Sequence, residues 1–144
     1  MRNVLLTGVG GQGTVLAAKV LAQAAQAKGW QVRTAETIGM AQRGGSVVSH
    51  VRMGDNGEEV IAPLVAKGTA DMIIAFEPAE AARVLPYLAP DGVMVSATTS
   101  IQSITAALST ELYLAEATIA SLDERLNECA AAPARFVLVD DEAV

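Results

Sequence analysis

Two glycine-rich stretches hold the residues whose types and spacing suit ligand chemistry. The first is N-V-L-L-T-G-V-G-G-Q-G at 3–13, where Gly8, Gly10 and Gly13 fill the G-x-G-x-x-G spacing and Gly11 and Gln12 lie between them. Glycine serves where a backbone must turn sharply and where nothing may project between a strand and a helix. With a strand ending at Thr7 and a helix beginning near Thr14, the free amides of the first helical turn face the crevice beyond the sheet and attract anions. Gly10 is the expected point of close approach, so Gly10→Val should be severely disruptive. The second stretch, I-G-M-A-Q-R-G-G at 38–45, runs on into Ser46. It offers Gln42, Gly44, Gly45, Ser46 and the rigid donor fork of Arg43, which suits phosphate or carboxylate. Close packing explains the first motif as well as a nucleotide does, and spacing alone does not separate the two.

The remaining polar residues carry weaker signals. Glu36 lies 23 residues beyond Gly13, near where dinucleotide-binding domains keep an acid for ribose hydroxyls. His50 falls inside a strand pattern and reads as a hydrogen-bonded structural residue. The hydroxyl-rich run at 98–105 follows a strand, but Ser/Thr loops also bond to their own backbone. The acidic trio at 140–142 reads as solvated charge, and Cys129 as packing. No nucleophile with a base beside it, P-loop lysine or positioned carboxylate pair is legible. The expectation is no catalytic residue and no metal ligand in this chain.

These residues need a scaffold, and the pattern supplies one. A helix is expected from Gly13 to Lys28, stopped by Gly29. Its polar residues Lys19, Gln23 and Gln26 make one narrow stripe, leaving more apolar surface than one sheet face covers. A second helix or another subunit should lie against it. Strands are expected at 30–37 and 46–53, the latter half-buried, with G-D-N-G at 54–57 turning into an antiparallel return at 58–62. The apolar run at 71–76 reads as a buried parallel strand, and Pro78 opens a helix to about Leu85. Pro90-Asp91-Gly92 reads as a turn before a strand at 93–97. A helix at 114–129 and a last strand at 136–139 follow. The fold class is α/β: a Rossmann-like, three-layer arrangement with a mostly parallel sheet and an antiparallel hairpin insertion.

Bulk properties narrow the function. The 144 residues suit one domain, 51% hydrophobic but only 3% aromatic, so the core must be aliphatic. Formal net charge −6 and pI near 4.7 argue against a nucleic-acid surface. No apolar run reaches the ~20 residues of a membrane span, and a cytoplasmic protein is expected. One cysteine and one histidine cannot supply the cysteine set of an iron–sulfur cluster or the usual zinc ligands. Any redox centre belongs on a partner.

Taken together, V-L-L-T-G-V-G-G-Q-G at 4–13 and G-M-A-Q-R-G-G-S-V-V-S-H-V-R at 39–52 resemble the γ-type subunit or domain of 2-oxoacid:acceptor oxidoreductases. They are most similar to the beta subunit of indolepyruvate:ferredoxin oxidoreductase. A-D-M-I-I-A-F-E-P-A-E-A at 70–81, L-P-Y-L-A-P-D-G at 85–92 and F-V-L-V-D at 136–140 fit the same resemblance. It implies a single γ-type domain over 1–144, lacking a C-terminal helix and strand that the family usually has. It also implies CoA-dependent oxidative decarboxylation of a 2-oxoacid, with electrons passing to ferredoxin. Thiamine diphosphate and the iron–sulfur clusters would reside on a larger partner subunit in a hetero-oligomer, and coenzyme A is the one cofactor that this chain could help bind. The alternatives are a stand-alone NAD(H)-binding module using Gly8, Gly10, Gly13 and Glu36, and a scaffold that binds no small molecule.

Overall fold

Val4, Leu5 and Leu6 lie consecutively in the first strand and all three are buried, so that strand must be covered on both faces. The computed structural model describes residues 1–39, 44–101, 113–128 and 135–141. Strand β1 (Arg2–Val9) leads through the glycine turn into α1 (Thr14–Ala27), followed by β2 (Gln31–Ile38) and β3 (Ser46–Gly54). Then come β4 (Ala70–Ala75), α2 (Pro78–Val84), a 3₁₀ turn at Leu85–Tyr87, β5 (Leu88–Ala97), α3 (Ala115–Glu128) and β6 (Arg135–Val139). The six strands form one sheet in the order β2-β3-β1-β4-β5-β6. Only β3 opposes the others, being antiparallel to both β1 and β2.

Alternation along β1 divides the core. Val4 and Leu6 point to the α1 side and pack with Ala18, Ala25, Val51 and Met53. Leu5 points the other way, into a cluster with Ile73, Met94, Ala81, Leu122 and Leu126 beneath α2 and α3. Leu122 and Leu126, four residues apart, form the buried stripe of α3. This is the expected three-layer α/β arrangement with a mostly parallel sheet.

The hairpin differs from its expected place. Residues 58–62 form no strand, because β1 and β2 already fill both edges of β3. The segment instead crosses the sheet face, where the Val60 carbonyl accepts from Arg33 Nε at 3.3 Å and the Val60 amide donates to Gln31 Oε1 at 3.4 Å. The hairpin is β2–β3, closed by Gly39 N–H donating to the Ser46 carbonyl at 2.9 Å. Its tip is the second glycine-rich stretch. With neighbours on both edges, β3 is also more buried than a half-buried strand, Val51 being fully so. Pro90-Asp91-Gly92 is another departure. It lies inside β5, where the register slips from Ala70 opposite Leu88 to Met72 opposite Val93.

Candidate functional site

The first glycine stretch divides its work among its residues. Gly8 carries the close approach: a Cβ there would lie 2.8 Å from Thr14 Oγ1, 2.9 Å from Gln12 Oε1 and 3.1 Å from Phe76 Cβ. At Gly10 the nearest atoms are 3.7 Å away, an ordinary contact, so the expected crowding belongs to Gly8 instead. Gly11 and Gly13 have φ of 99° and 82°, in the left-handed region that favours glycine. Gly13 is the N-cap of α1 and no side chain caps that helix. Its first-turn amides therefore open onto the C-terminal edge of the sheet.

Gln12 braces the turn. Its Oε1 accepts from the Val9 amide at 2.7 Å, and its Nε2 donates to the Phe76 carbonyl at 2.9 Å. The side chain thus ties the end of β1 to the end of β4, and both halves of its amide are used within the protein.

The two glycine stretches meet: Gly10 N–H donates to the Gly45 carbonyl at 2.9 Å. The antiparallel direction of β3 makes this possible, because it starts beside the end of β1, with Ser46 opposite Val9. Gly44, with φ of 73°, turns the hairpin tip into this contact. Gln42 and Arg43 lie outside the described residues. Ser46 hydroxyl donates to Glu80 Oε2 at 2.6 Å, so it anchors the tip to α2.

Glu80 and Glu77 are the site residues that the sequence analysis missed. They are 3% and 1% exposed, despite their charge. Glu77 caps α2 by accepting from the Glu80 amide at 3.0 Å through Oε2, while its Oε1 accepts from Tyr113 hydroxyl at 2.6 Å. Burial, then the Glu77 hydrogen bond and charge, push the Tyr113 phenol well above its ordinary range and keep it a donor. Arg83 Nε lies 3.4 Å from Glu80 Oε2, giving that carboxylate an exposed counter-charge. The available signal was E-P-A-E directly after a strand, an acid at the cap and another three residues on.

On its α1 flank the glycine turn borders a hollow of about 400 Å³, lined by Gly11, Gly13, Thr14, Val15, Lys19 and Val47 among others. That volume lies within the range of small-molecule sites. Thr14 is 3% exposed, and its hydroxyl has no hydrogen-bond partner among the described residues. An uncapped helix start and one lysine thus border a partly apolar space, while the buried Thr14 hydroxyl is packed over Gly8.

Other candidates fall elsewhere. Glu36 is on β2, which β3 separates from β1, so it stands two strand spacings, roughly 10 Å, from the strand that leads into the glycine turn. His50 is buried; its Nδ1 accepts from the Val65 amide at 3.2 Å and its ring meets Tyr87 edge-on. Desolvation lowers its pKa, as befits a neutral structural histidine. Thr98 ties the end of β5 to β6, its amide donating to the Val139 carbonyl at 3.0 Å, and the Thr99 amide donates to Asp141 Oδ1 just beyond β6 at 3.1 Å. Interaction with Thr99, through its side chain first and its amide second, holds the exposed Asp141 carboxyl below its usual range. Residues 102–105, Cys129 and Glu142 lie outside the described residues.

The model of the pyruvate ferredoxin/flavodoxin oxidoreductase family matches residues 3–140. Indolepyruvate oxidoreductase subunit IorB of Archaeoglobus fulgidus is 54% identical over 86 residues, covering 60% of this chain and 41% of that protein. Subunit PORC of pyruvate oxidoreductase from Thermotoga maritima superposes with a TM-score of 0.60 over 96% of this chain and 61% of its own, at 18% identity. The 2-oxoglutarate:ferredoxin oxidoreductase of Magnetococcus marinus, solved with 2-oxoglutarate, coenzyme A and succinyl-CoA bound, gives a TM-score of 0.56 at 21% identity. It shares 66% of this chain and 16% of that one. At such identities the two structures show a common fold. The chain spans about half the length of the curated relatives it matches. With a match running over nearly its whole length, the chain belongs to the pyruvate ferredoxin/flavodoxin oxidoreductase family.

Proposed function

We propose that this chain serves as the small γ-type subunit, or a part of it, of a cytoplasmic 2-oxoacid:ferredoxin oxidoreductase acting on indolepyruvate or a related acid. The observation that carries this reading is the family match over residues 3–140, together with the similarity to IorB. Catalysis belongs to a larger partner that holds thiamine diphosphate and iron–sulfur clusters. A single cysteine cannot ligate such a cluster here.

Helix α1 supports the partner. Its outer face carries Leu16, 66% exposed, and Val20, 57% exposed, one turn apart. Among the described helices none packs against α1. The excess apolar surface expected from the sequence is thus present, and a larger subunit would cover it. Co-expression with the neighbouring large subunit is the test. Co-purification, with 2-oxoacid-dependent ferredoxin reduction lost when this chain is omitted, is the expected result. Failure to associate would overturn the reading.

Within the complex, the glycine turn is proposed to contact coenzyme A. The α1 amides and Lys19 suit its phosphates, the hollow beside Val15 and Val47 suits its apolar arm, and the expected role of Arg43 is a further phosphate contact. The bound ligand would supply the acyl-accepting thiol, and these residues would only orient it. Lys19→Ala in the assembled enzyme should raise the KM for coenzyme A by about tenfold, the size of one charge-assisted contact, without changing the KM for the 2-oxoacid. An unchanged KM for coenzyme A would remove this chain from that site.

A further inference from the structure

We propose that the outer edge of β2 is a sheet-extension surface that pairs antiparallel with β2 of a second copy of this chain, centred on Ala35. Edge strands of stable monomers are blunted by shortness, proline, lysine or bulges. β2 has none of these. It runs for eight residues, Q-V-R-T-A-E-T-I, in unbroken register with β3. Its single cation, Arg33, is turned onto its own chain, donating to the Val60 carbonyl. The other edge strand, β6, spans only five residues.

The sequence of the edge selects its partner. A two-fold axis normal to the sheet continues each face into the same face of the copy, so a residue must oppose one of its own parity. Near-complete overlap then leaves two centres, Thr34 and Ala35. Centring on Thr34 sets Val32 against Glu36. Centring on Ala35 sets Val32 against Ile38 twice, Thr34 against Glu36, and Arg33 against Thr37, with no like charges opposed. Within the chain, Ile38 already adjoins Val47 and Val32 already adjoins Met53, across the β2–β3 ladder. The Ala35 register joins these into one apolar row, Val47–Ile38–Val32–Met53, running across the two copies. It also covers Ile38, which is 62% exposed in the single chain. A second copy is the occupant because the edge is complementary to itself.

The test is analytical ultracentrifugation and oxidation of the full chain in a Cys129→Ser background. A dimer at tens of micromolar is expected, with Ala35→Cys forming an inter-copy disulfide, since directly opposed residues lie within disulfide reach. Thr34→Cys should not cross-link, being two positions out of step with its own copy. Ile38→Lys, with an unchanged circular dichroism spectrum, should raise the dimer dissociation constant at least tenfold. A monomer at these concentrations would overturn the proposal. So would cross-linking at residue 34 in preference to 35, or association that Ile38→Lys leaves intact.

Discussion

Helices α1 and α2 begin at the same edge of the sheet, after the adjacent parallel strands β1 and β4, yet their starts are opposite in kind. α2 opens with its own anions: Glu77 caps it, Glu80 follows, and both are buried. The positive end of that helix is satisfied from within. α1 opens on Gly13, with no side-chain cap and no acid in its first turn. One helix start consumes carboxylates to hold the site together, and the other has neither a side-chain cap nor an acid of its own. The two are coupled, because Ser46 links Glu80 to the hairpin tip and Gly45 links that tip to Gly10. Acids outside the glycine motif are thus what position it.

Substitutions at Gly8, Glu80 and Gly13 break or sharpen this contrast. Gly8→Ala should have the largest effect, since its Cβ meets Thr14 and a braced Gln12 at under 3 Å. A loss of about 3 kcal/mol, the upper part of the overpacking range, is expected in chemical denaturation. Gly10→Ala, measured beside it, should stay within about 0.5 kcal/mol. Next is Glu80→Ala, which strands the Ser46 hydroxyl and should cost about 2 kcal/mol, with Glu80→Gln recovering most of it because an acceptor remains. Amide exchange at Gly10 and Gly45 should quicken in Glu80→Ala if the coupling holds.

Gly13→Ala tests the other helix start. An alanine forced to φ of 82° should lose about 1 kcal/mol and weaken any anion bound at the α1 amides. The smallest effect belongs to His50, away from both starts. Its pKa is lowered in the folded state, so it contributes stability above its unfolded pKa of about 6.5 that is lost as pH falls through the folded value. His50→Asn retains an acceptor for the Val65 amide and removes the titration. Its melting temperature should fall less than that of the parent between pH 7 and 5.

Much of the scaffold was legible because aliphatic runs and glycine stops state their own period. Helix α1 ends one residue before Lys28 and Gly29, as the stop glycine requires, and the buried parallel run at 70–75 follows from A-D-M-I-I-A. The hairpin was misplaced because the G-D-N-G turn is a strong local signal, whereas the occupancy of both β3 edges is a property of the whole sheet. T-I-G-M-A-Q-R-G-G-S-V-V also reads as strand, glycine loop, strand once the sheet is known. The glycines of the site were found by spacing, but their division of labour was not. Gly8 and Gly10 differ only in what lies above them, and Thr14, Gln12 and Phe76 converge there through tertiary contacts. Glu77 and Glu80 were hidden for a related reason. Acids next to a proline read as surface, and only Tyr113 and Ser46, thirty or more residues away, make their burial possible.

The reversed strand also sets an order of assembly. β1 and β2 are consecutive around α1 but do not touch; the gap between them stays open until β3 arrives. A nascent chain ending before residue 46 therefore has no ladder partner for β2, and α1 has little to cover. The local route is for β2 and β3 to zip first as a hairpin, since its loop is short and closure is entropically cheap. Pairing of that hairpin with β1 sets Ser46 opposite Val9 and Gly45 against Gly10. The contact that forms the candidate site therefore exists only where the middle of the sheet is closed.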